Sequence, residues 1–343
     1  MVLFEKDLAI DLGTTNVRIA TGGKGVILRE PSVVAMDRNT GRLLKYGMEA
    51  QRMLGRTPAN IAAIHPLRAG VISDYDMTER MLREMVKSVT GFSLLKPRML
   101  IGIPSGISEV EERAVIDAGM EAGARKVYLM ETPLAAAVGA GLDISGADGK
   151  MVVDIGGGTT DIAVLTLNGV VESESVKEGG DAFNEALIRY VRRKYSLLIG
   201  RTTAEELKKK ICCVFPREDV LSVEVKGRCL MTGLPRVITL NSNEALEALE
   251  ETAERILEAI VRVLENTPPE LVADISRNGI VLTGAGSQMW GFDRLIENRT
   301  EIPVRTADDP DLCVAFGLAK ALDWLDDMNE GTLNLERRRQ LKA

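Results

Sequence analysis

One pattern of apolar and polar positions occurs twice along the chain. Leu8-Ala9-Ile10-Asp11-Leu12-Gly13-Thr14-Thr15-Asn16-Val17-Arg18-Ile19-Ala20 reads as an apolar strand, an aspartate, a Gly/Thr turn and a second strand. Met151-Val152-Val153-Asp154-Ile155-Gly156-Gly157-Gly158-Thr159-Thr160-Asp161-Ile162-Ala163-Val164 repeats that order. Each is a hairpin signature. The aspartates lie 143 residues apart (154 minus 11), which is a domain length and not a solenoid period.

Elsewhere the period becomes helical. Ser108 with Glu111 predicts a capping box ahead of Ala114-Val115-Ile116. Leu246, Leu249, Ala253, Ile256, Leu257, Ile260, Val261 and Leu264 recur at spacings of three and four, an amphipathic helix stopped by Thr267-Pro268-Pro269. Strand-like runs at 98–103, 126–130 and 279–282 alternate with these helices. The fold class is therefore α/β, as two duplicated domains with parallel pairing as well as hairpins.

Composition narrows the function. In 343 residues, 45% apolar and 27% charged positions argue against disorder or a fibre. Lys plus Arg number 43 against 50 Asp plus Glu, a net charge of −7, so no nucleic-acid partner is expected. No apolar run approaches the roughly 20 residues that span a bilayer, and residues 1–7 lack signal-peptide features. A cytoplasmic protein is expected. Cys212, Cys213, Cys229 and Cys313 show no C-x-x-C spacing, and His65 is the single histidine. That set offers neither a zinc site nor a His-dependent triad; the thiols are expected buried and reduced, and His65 structural.

Three Gly-rich turns follow apolar strands: residues 11–16, residues 154–160 and Thr283-Gly284-Ala285-Gly286-Ser287. Glycine lets main-chain N–H groups approach an oxyanion with no Cβ in the way. Thr14, Thr15, Thr159 and Thr160 add hydroxyl donors. Asp11 and Asp154 at strand ends would hold a hydrated Mg²⁺, an ion that keeps several waters. Two opposed loops and a cation would clamp the β- and γ-phosphates of a nucleotide. Neither a Walker A pattern nor a G-x-G-x-x-G opening a helix is present, so hairpins do the gripping.

At these residues the chain resembles the actin/Hsp70/sugar-kinase ATPase superfamily, its hairpins the two phosphate motifs and residues 279–287 the adenosine motif. Further stretches, among them Glu30-Pro31-Ser32-Val33-Val34-Ala35, Gly102-Ile103-Pro104-Ser105-Gly106 and Thr232-Gly233-Leu234-Pro235-Arg236, are similar to the MreB family of bacterial actin homologues, with its Mbl and MreBH members. The resemblance implies an actin-like fold around a nucleotide cleft. Domain I would span 1–144 with an insertion near 32–66, and domain II 145–317 with an insertion near 182–242. A C-terminal helix at 318–328 would return to domain I, followed by a flexible tail at 329–343.

It also implies ATP/ADP and Mg²⁺ as cofactors and antiparallel double protofilaments on the inner face of the cytoplasmic membrane. There such filaments organise cell-wall synthesis, together with membrane-bound morphogenesis proteins, and maintain rod shape. Nucleotide contacts carry over to Gly13, Thr14, Thr15, Asn16, Gly156, Gly157, Gly158, Thr159, Thr160, Gly180 and Asp181, with Glu205 and Lys208 beside the adenine. Gly284, Ala285 and Gly286 match the adenosine loop, Ala285 in place of the usual middle glycine. Metal contact through water falls to Asp11 and Asp154, and membrane contact to Phe92, Leu94 and Leu95, flanked by Lys87, Lys96 and Arg98.

Departures bear on catalysis. The residue before Pro133 is Thr132, where the family carries the glutamate that positions the attacking water; Glu131 stands one place earlier. A hydroxyl orients water but accepts its proton poorly at neutral pH. Glu131, Thr132 and Thr160 are the candidate catalytic residues, and hydrolysis is expected to be slow. Lys210 replaces a usual Glu, either changing nucleotide affinity or standing as a solvated charge. The alternatives are a nucleotide-locked scaffold with little turnover and a small-molecule kinase of the same superfamily.

Overall fold

In the computed structural model, which describes residues 7–91 and 95–325, the repeated hairpins become the centres of two similar five-stranded sheets. The first runs Lys126–Glu131, Arg98–Ile103, Leu8–Leu12, Asn16–Thr21, Gly25–Pro31. The second runs Val304–Thr306, Ile280–Thr283, Lys150–Ile155, Thr160–Thr166, Gly169–Val176. In both, the hairpin strands and the strand that follows them pair antiparallel, and the remaining two add in parallel. Hairpin register sets Asp11 opposite Arg18 and Asp154 opposite Asp161. The candidates Phe92 and Leu94, and the 329–343 tail, lie outside the described residues.

Local chemistry fixes the helices. Ser108 accepts from the Glu111 N–H while its own N–H donates to the Glu111 carboxylate, starting the helix Glu109–Glu121. Asn241 and Glu244 make the same reciprocal pair, so the long helix begins at Ser242, four residues before the first periodic leucine. It ends at Asn266, where Pro268 and Pro269 follow.

Successive residues on a strand face opposite sides, and here each side has its own core. Leu8 and Ile10 pack under Met81 and Met85 of the helix Tyr75–Thr90. Val153 and Ile155 pack with Phe183, Ile256 and Ile260 in the second half. Ala9, Leu100, Val152 and Ala163 instead face a third core between the sheets, filled by Leu134, Val314 and Leu318. Those last three belong to the helices Thr132–Gly139 and Cys313–Ala321, each following the final strand of one sheet. The two helices cross in main-chain contact. A Cβ at Gly139 would sit 1.7 Å from the Cys313 carbonyl oxygen, and one at Gly317 1.8 Å from that of Ala135.

Each half also carries a small sheet. Leu43–Tyr46, Val34–Asp37 and Ile61–Ile64 form one; Leu197–Leu198, Ser222–Cys229 and Pro235–Asn241 form the other. All four cysteines are buried and free of disulfides. Among the described residues no helix is long and apolar enough to cross a membrane.

Candidate functional site

The three Gly-rich turns lie at the carboxyl ends of central strands, where open α/β sheets place their ligands. The first two turns meet. A Cβ on Gly157 would fall 1.9 Å from Thr15 Oγ1, and one on Gly158 2.4 Å from Thr14 Oγ1. Only glycine fits this approach, and the cradle exposes main chain and hydroxyls to one small space. Ser32 braces the first turn: its Oγ donates to the Gly13 carbonyl at 2.5 Å and its N–H to the Thr15 carbonyl at 2.9 Å. The Gly70 N–H donates to Thr14 Oγ1 at 2.9 Å. Asn16 opens the second strand of this hairpin.

The second turn is closed by Gly156 N–H to the Thr159 carbonyl at 2.8 Å. Gly180 and Asp181 donate their N–H groups to the carbonyls of Gly156 and Gly157, at 3.0 and 2.8 Å. They begin the helix Gly180–Tyr195, so its N-terminal turn lies against the glycines. Lys208 Nζ reaches the Gly180 carbonyl at 3.0 Å and pairs with Glu205 at 2.7 Å, while Asn184 Nδ2 donates to Glu205 at 2.9 Å. Burial acts to raise the Glu205 pKa, but Lys208, Asn184 and Lys209 outweigh it and bring it down to about 2. Glu205 and Lys208 thus sit beside the turn together. Lys210, on the same helix, is exposed.

The third turn leans on the second. Thr283 Oγ1 donates to Asp154 Oδ1 at 2.8 Å. Gly284 adopts φ +80°, and a Cβ there would lie 2.3 Å from the Ile155 carbonyl oxygen. Ala285 is exposed at the start of the short helical turn Ala285–Gln288, followed by Gly286, which packs on Ile155.

Electrostatics at the base of these turns is out of balance. Asp11 accepts from Arg18 Nη1 at 2.7 Å, yet burial, opposed by that arginine, still raises its pKa. Burial, then the neighbouring Asp161, pushes Asp154 up to about 7. Burial pushes Asp161 up to about 6, against hydrogen bonds from Ser175 and Thr159. Asp161 Oδ1 is buried without a well-formed hydrogen bond among the described residues. Two buried carboxyls lacking a counter-charge suit a site completed by a cation. Among the described residues no three acidic, His or Cys groups assemble as a metal cage. A hydrated Mg²⁺ held by Asp11 and Asp154 would take its other ligands from water and phosphate; of the two, Asp11 already pairs with Arg18, while Asp154 accepts from the Thr283 hydroxyl.

The pH consequence has a definite sign. Asp154 and Asp161 hold protons in the fold that the unfolded chain releases near pH 4. Their contribution to stability is complete below the unfolded value and is lost as pH rises to about 7. Asp154→Asn should therefore become progressively more stable relative to wild type between pH 4 and 7, read from denaturation midpoints. Parallel curves for the two proteins would contradict it.

Glu131 ends its strand and is the N-cap of the helix Thr132–Gly139, accepting from Ser105 Oγ at 2.7 Å. Thr132 is half-buried in the first turn of that helix. Thr160 donates its Oγ1 hydroxyl to the Glu178 carbonyl at 2.8 Å, whereas Thr159 Oγ1 donates to Asp161 Oδ2 at 3.0 Å. Of the membrane candidates, Leu95 is described and exposed.

Sequence reasoning missed Arg18, Asp161, Ser105 and Asp311. Arg18 bridges Asp11 to Asp311 of the second half at 3.6 Å, and Arg29 joins Asp311 at 2.8 Å. A signal for two of them existed: Arg18 and Asp161 each follow their hairpin aspartate by seven residues, so register puts both directly across from it.

Comparison with known proteins agrees with this geometry. The MreB/Mbl protein family model matches residues 5–330. The cell shape-determining protein MreB of Escherichia coli (strain K12) is 51% identical over 337 residues, covering 96% of this chain and 97% of that protein. The cell shape-determining protein Mbl of Bacillus subtilis (strain 168) is 47% identical over 333 residues, covering 97% and 100%. The crystal structure of MreB5 of Spiroplasma citri bound to ADP superposes with a TM-score of 0.89 at 33% identity, over 95% of this chain and 99% of that one. The MamK double helical filament, at 22% identity and a TM-score of 0.78 over 92% and 99%, shares the fold. The sheets are those of an actin-like fold, and the chain belongs to the MreB/Mbl family.

Proposed function

We propose that this chain is a cytoskeletal ATPase, binding ATP with Mg²⁺ between its two halves and assembling with copies of itself into filaments that determine cell shape. The observation that carries the reading is the approach of Gly157 and Gly158 to Thr15 and Thr14, which opposes two phosphate-type turns across the halves. The relatives in which ADP and AMPPNP are bound share this fold. We assign domain I to residues 1–144 and domain II to residues 145–317, each with its insertion. Asp11 and Asp154 would hold the hydrated cation, which supplies positive charge against the phosphates.

Self-association has surface to use. Leu230, Met231, Leu234 and Val237 are exposed around the hairpin of the second small sheet, Met231 at 83%, an apolar patch of the kind that marks contact sites. We assign filaments in antiparallel pairs, on the inner face of the cytoplasmic membrane with cell-wall synthesis proteins, as the setting. Exposed Leu95 belongs to the loop that would touch lipid. Phe92→Ser with Leu94→Ser should abolish flotation with anionic liposomes; unchanged flotation removes the loop from the mechanism.

Thr132 favours a second reading, a filament with little turnover. Single-turnover phosphate release separates the two, run beside ATP-dependent pelleting. We expect pelleting with slow release, and Thr132→Glu should accelerate release by about tenfold or more, the lower part of what a positioned acid–base group contributes. Pelleting without any release selects the static scaffold, and a failure to pellet points to the kinase.

A further inference from the structure

Hydrolysis needs a group that orients water and takes its proton, and Thr132 supplies only the first at neutral pH. The parallel pairing of the two outer strands of the first sheet offers a carboxylate. Glu131 is in register with Ile103, so the turn Pro104-Ser105 that follows Ile103 lies beside it. Ser105 and Glu131 are both buried, and Ser105 Oγ donates to Glu131 Oε2 at 2.7 Å. Although Glu131 is an N-cap, its side chain makes no capping bond. Its Oε2 accepts from the serine and not from the first turn of the helix.

The opposite half comes to the same point. A Cβ on Gly70 would lie 2.7 Å from Pro104 Cγ and 3.0 Å from Thr159 Cγ2, so the serine's turn and the second phosphate-type turn close on one glycine. That glycine's N–H holds Thr14 of the first. Thr159 in turn donates to Asp161, whose Oδ1 is buried without a well-formed partner among the described residues. The Ser105 main-chain N–H and the Glu131 charge both act on Asp161, the first lowering its pKa and the second raising it. Ser105 thus bonds Glu131 through its hydroxyl, on a turn that lies near Asp161 of the second half.

We propose that Ser105 is a positioning residue for ATP hydrolysis, its hydroxyl fixing Glu131 as the water-orienting carboxylate in place of residue 132. The inference rests on the nucleotide reading above. In the step it serves, the water oxygen bonds to the γ-phosphorus and the bond from that phosphorus to the β,γ-bridging oxygen breaks. Glu131 takes the water proton and passes it to solvent, leaving ADP and inorganic phosphate.

The test is single-turnover phosphate release by the full chain with Mg²⁺ and ATP, with affinity measured separately by AMPPNP titration. Ser105→Ala should slow release about tenfold and Glu131→Gln about 100-fold, within the range for a positioned general base, with AMPPNP affinity unchanged in Ser105→Ala. Ser105→Thr should restore most of the rate, and Ser105→Ala should cost nothing further in a Glu131→Gln background. A wild-type rate in Ser105→Ala overturns the assignment, as does an equal loss in both backgrounds, the mark of a merely structural serine. Wild type that binds AMPPNP but releases no phosphate also overturns it while leaving nucleotide binding intact. Failure to bind AMPPNP fells the nucleotide reading itself, and this assignment with it.

Discussion

Gly157→Val should abolish nucleotide binding while leaving a folded protein. The Cβ alone would stand 1.9 Å from Thr15 Oγ1 and 2.8 Å from Thr15 Cβ, and valine adds two methyl groups beyond it. The clash is relieved by parting the two turns, which removes the main-chain N–H groups and threonine hydroxyls from opposite sides of the phosphates at once. We expect a loss of at least about 100-fold in affinity, equivalent to about 3 kcal/mol, in a titration with AMPPNP. The two sheets bury their cores away from this turn, so circular dichroism should be unchanged. Binding within threefold of wild type would show that the turns do not grip the ligand together.

Gly317→Ala should be among the most damaging single methyl groups that can be added to the scaffold. Its Cβ would sit 1.8 Å from the Ala135 carbonyl oxygen and 2.6 Å from the carbonyl carbon. Main chain cannot rotate aside as a flexible side chain can, so the helices Thr132–Gly139 and Cys313–Ala321 must separate. Overpacking in a close-fitted core costs about 3 kcal/mol or more when backbone has to move. The loss falls on the core between the sheets, around Leu134, Val314 and Leu318, and so on the joint between the halves. Scanning calorimetry should show a clearly lowered transition; an unchanged one would mean that the helices slide without cost.

Much of this architecture was legible in the residues, for physical reasons that can be named. The duplicated hairpins were visible because a Gly/Thr turn between two β-favouring runs leaves the chain few alternatives. Arg98–Ile103 appears with the bounds its composition suggests, and the Ser108–Glu111 box makes both of its bonds. The start of the long helix was missed because the amphipathic period begins at Leu246 while the local cap, Asn241 with Glu244, sets the boundary earlier.

What stayed hidden is what only packing creates. Nothing local marks Gly139 and Gly317 as partners in a helix crossing, since each is ordinary within its own segment. Arg18 looks like a solvent-facing strand residue until register sets it against Asp11 and the second half brings Asp311 to it. Ser105 gains its role from the parallel neighbour that carries Glu131. At the site, the turns and their aspartates were readable as chemistry, whereas Asp161 and Ser105 required the register of the strands within each sheet.

Isothermal titration with ATP and Mg²⁺ probes the heart of this account most directly. A single saturable nucleotide per chain is predicted, weakened when the cation is chelated and lost in Gly157→Val. No heat and no binding with adenine nucleotides, from protein shown to be folded, would contradict it outright.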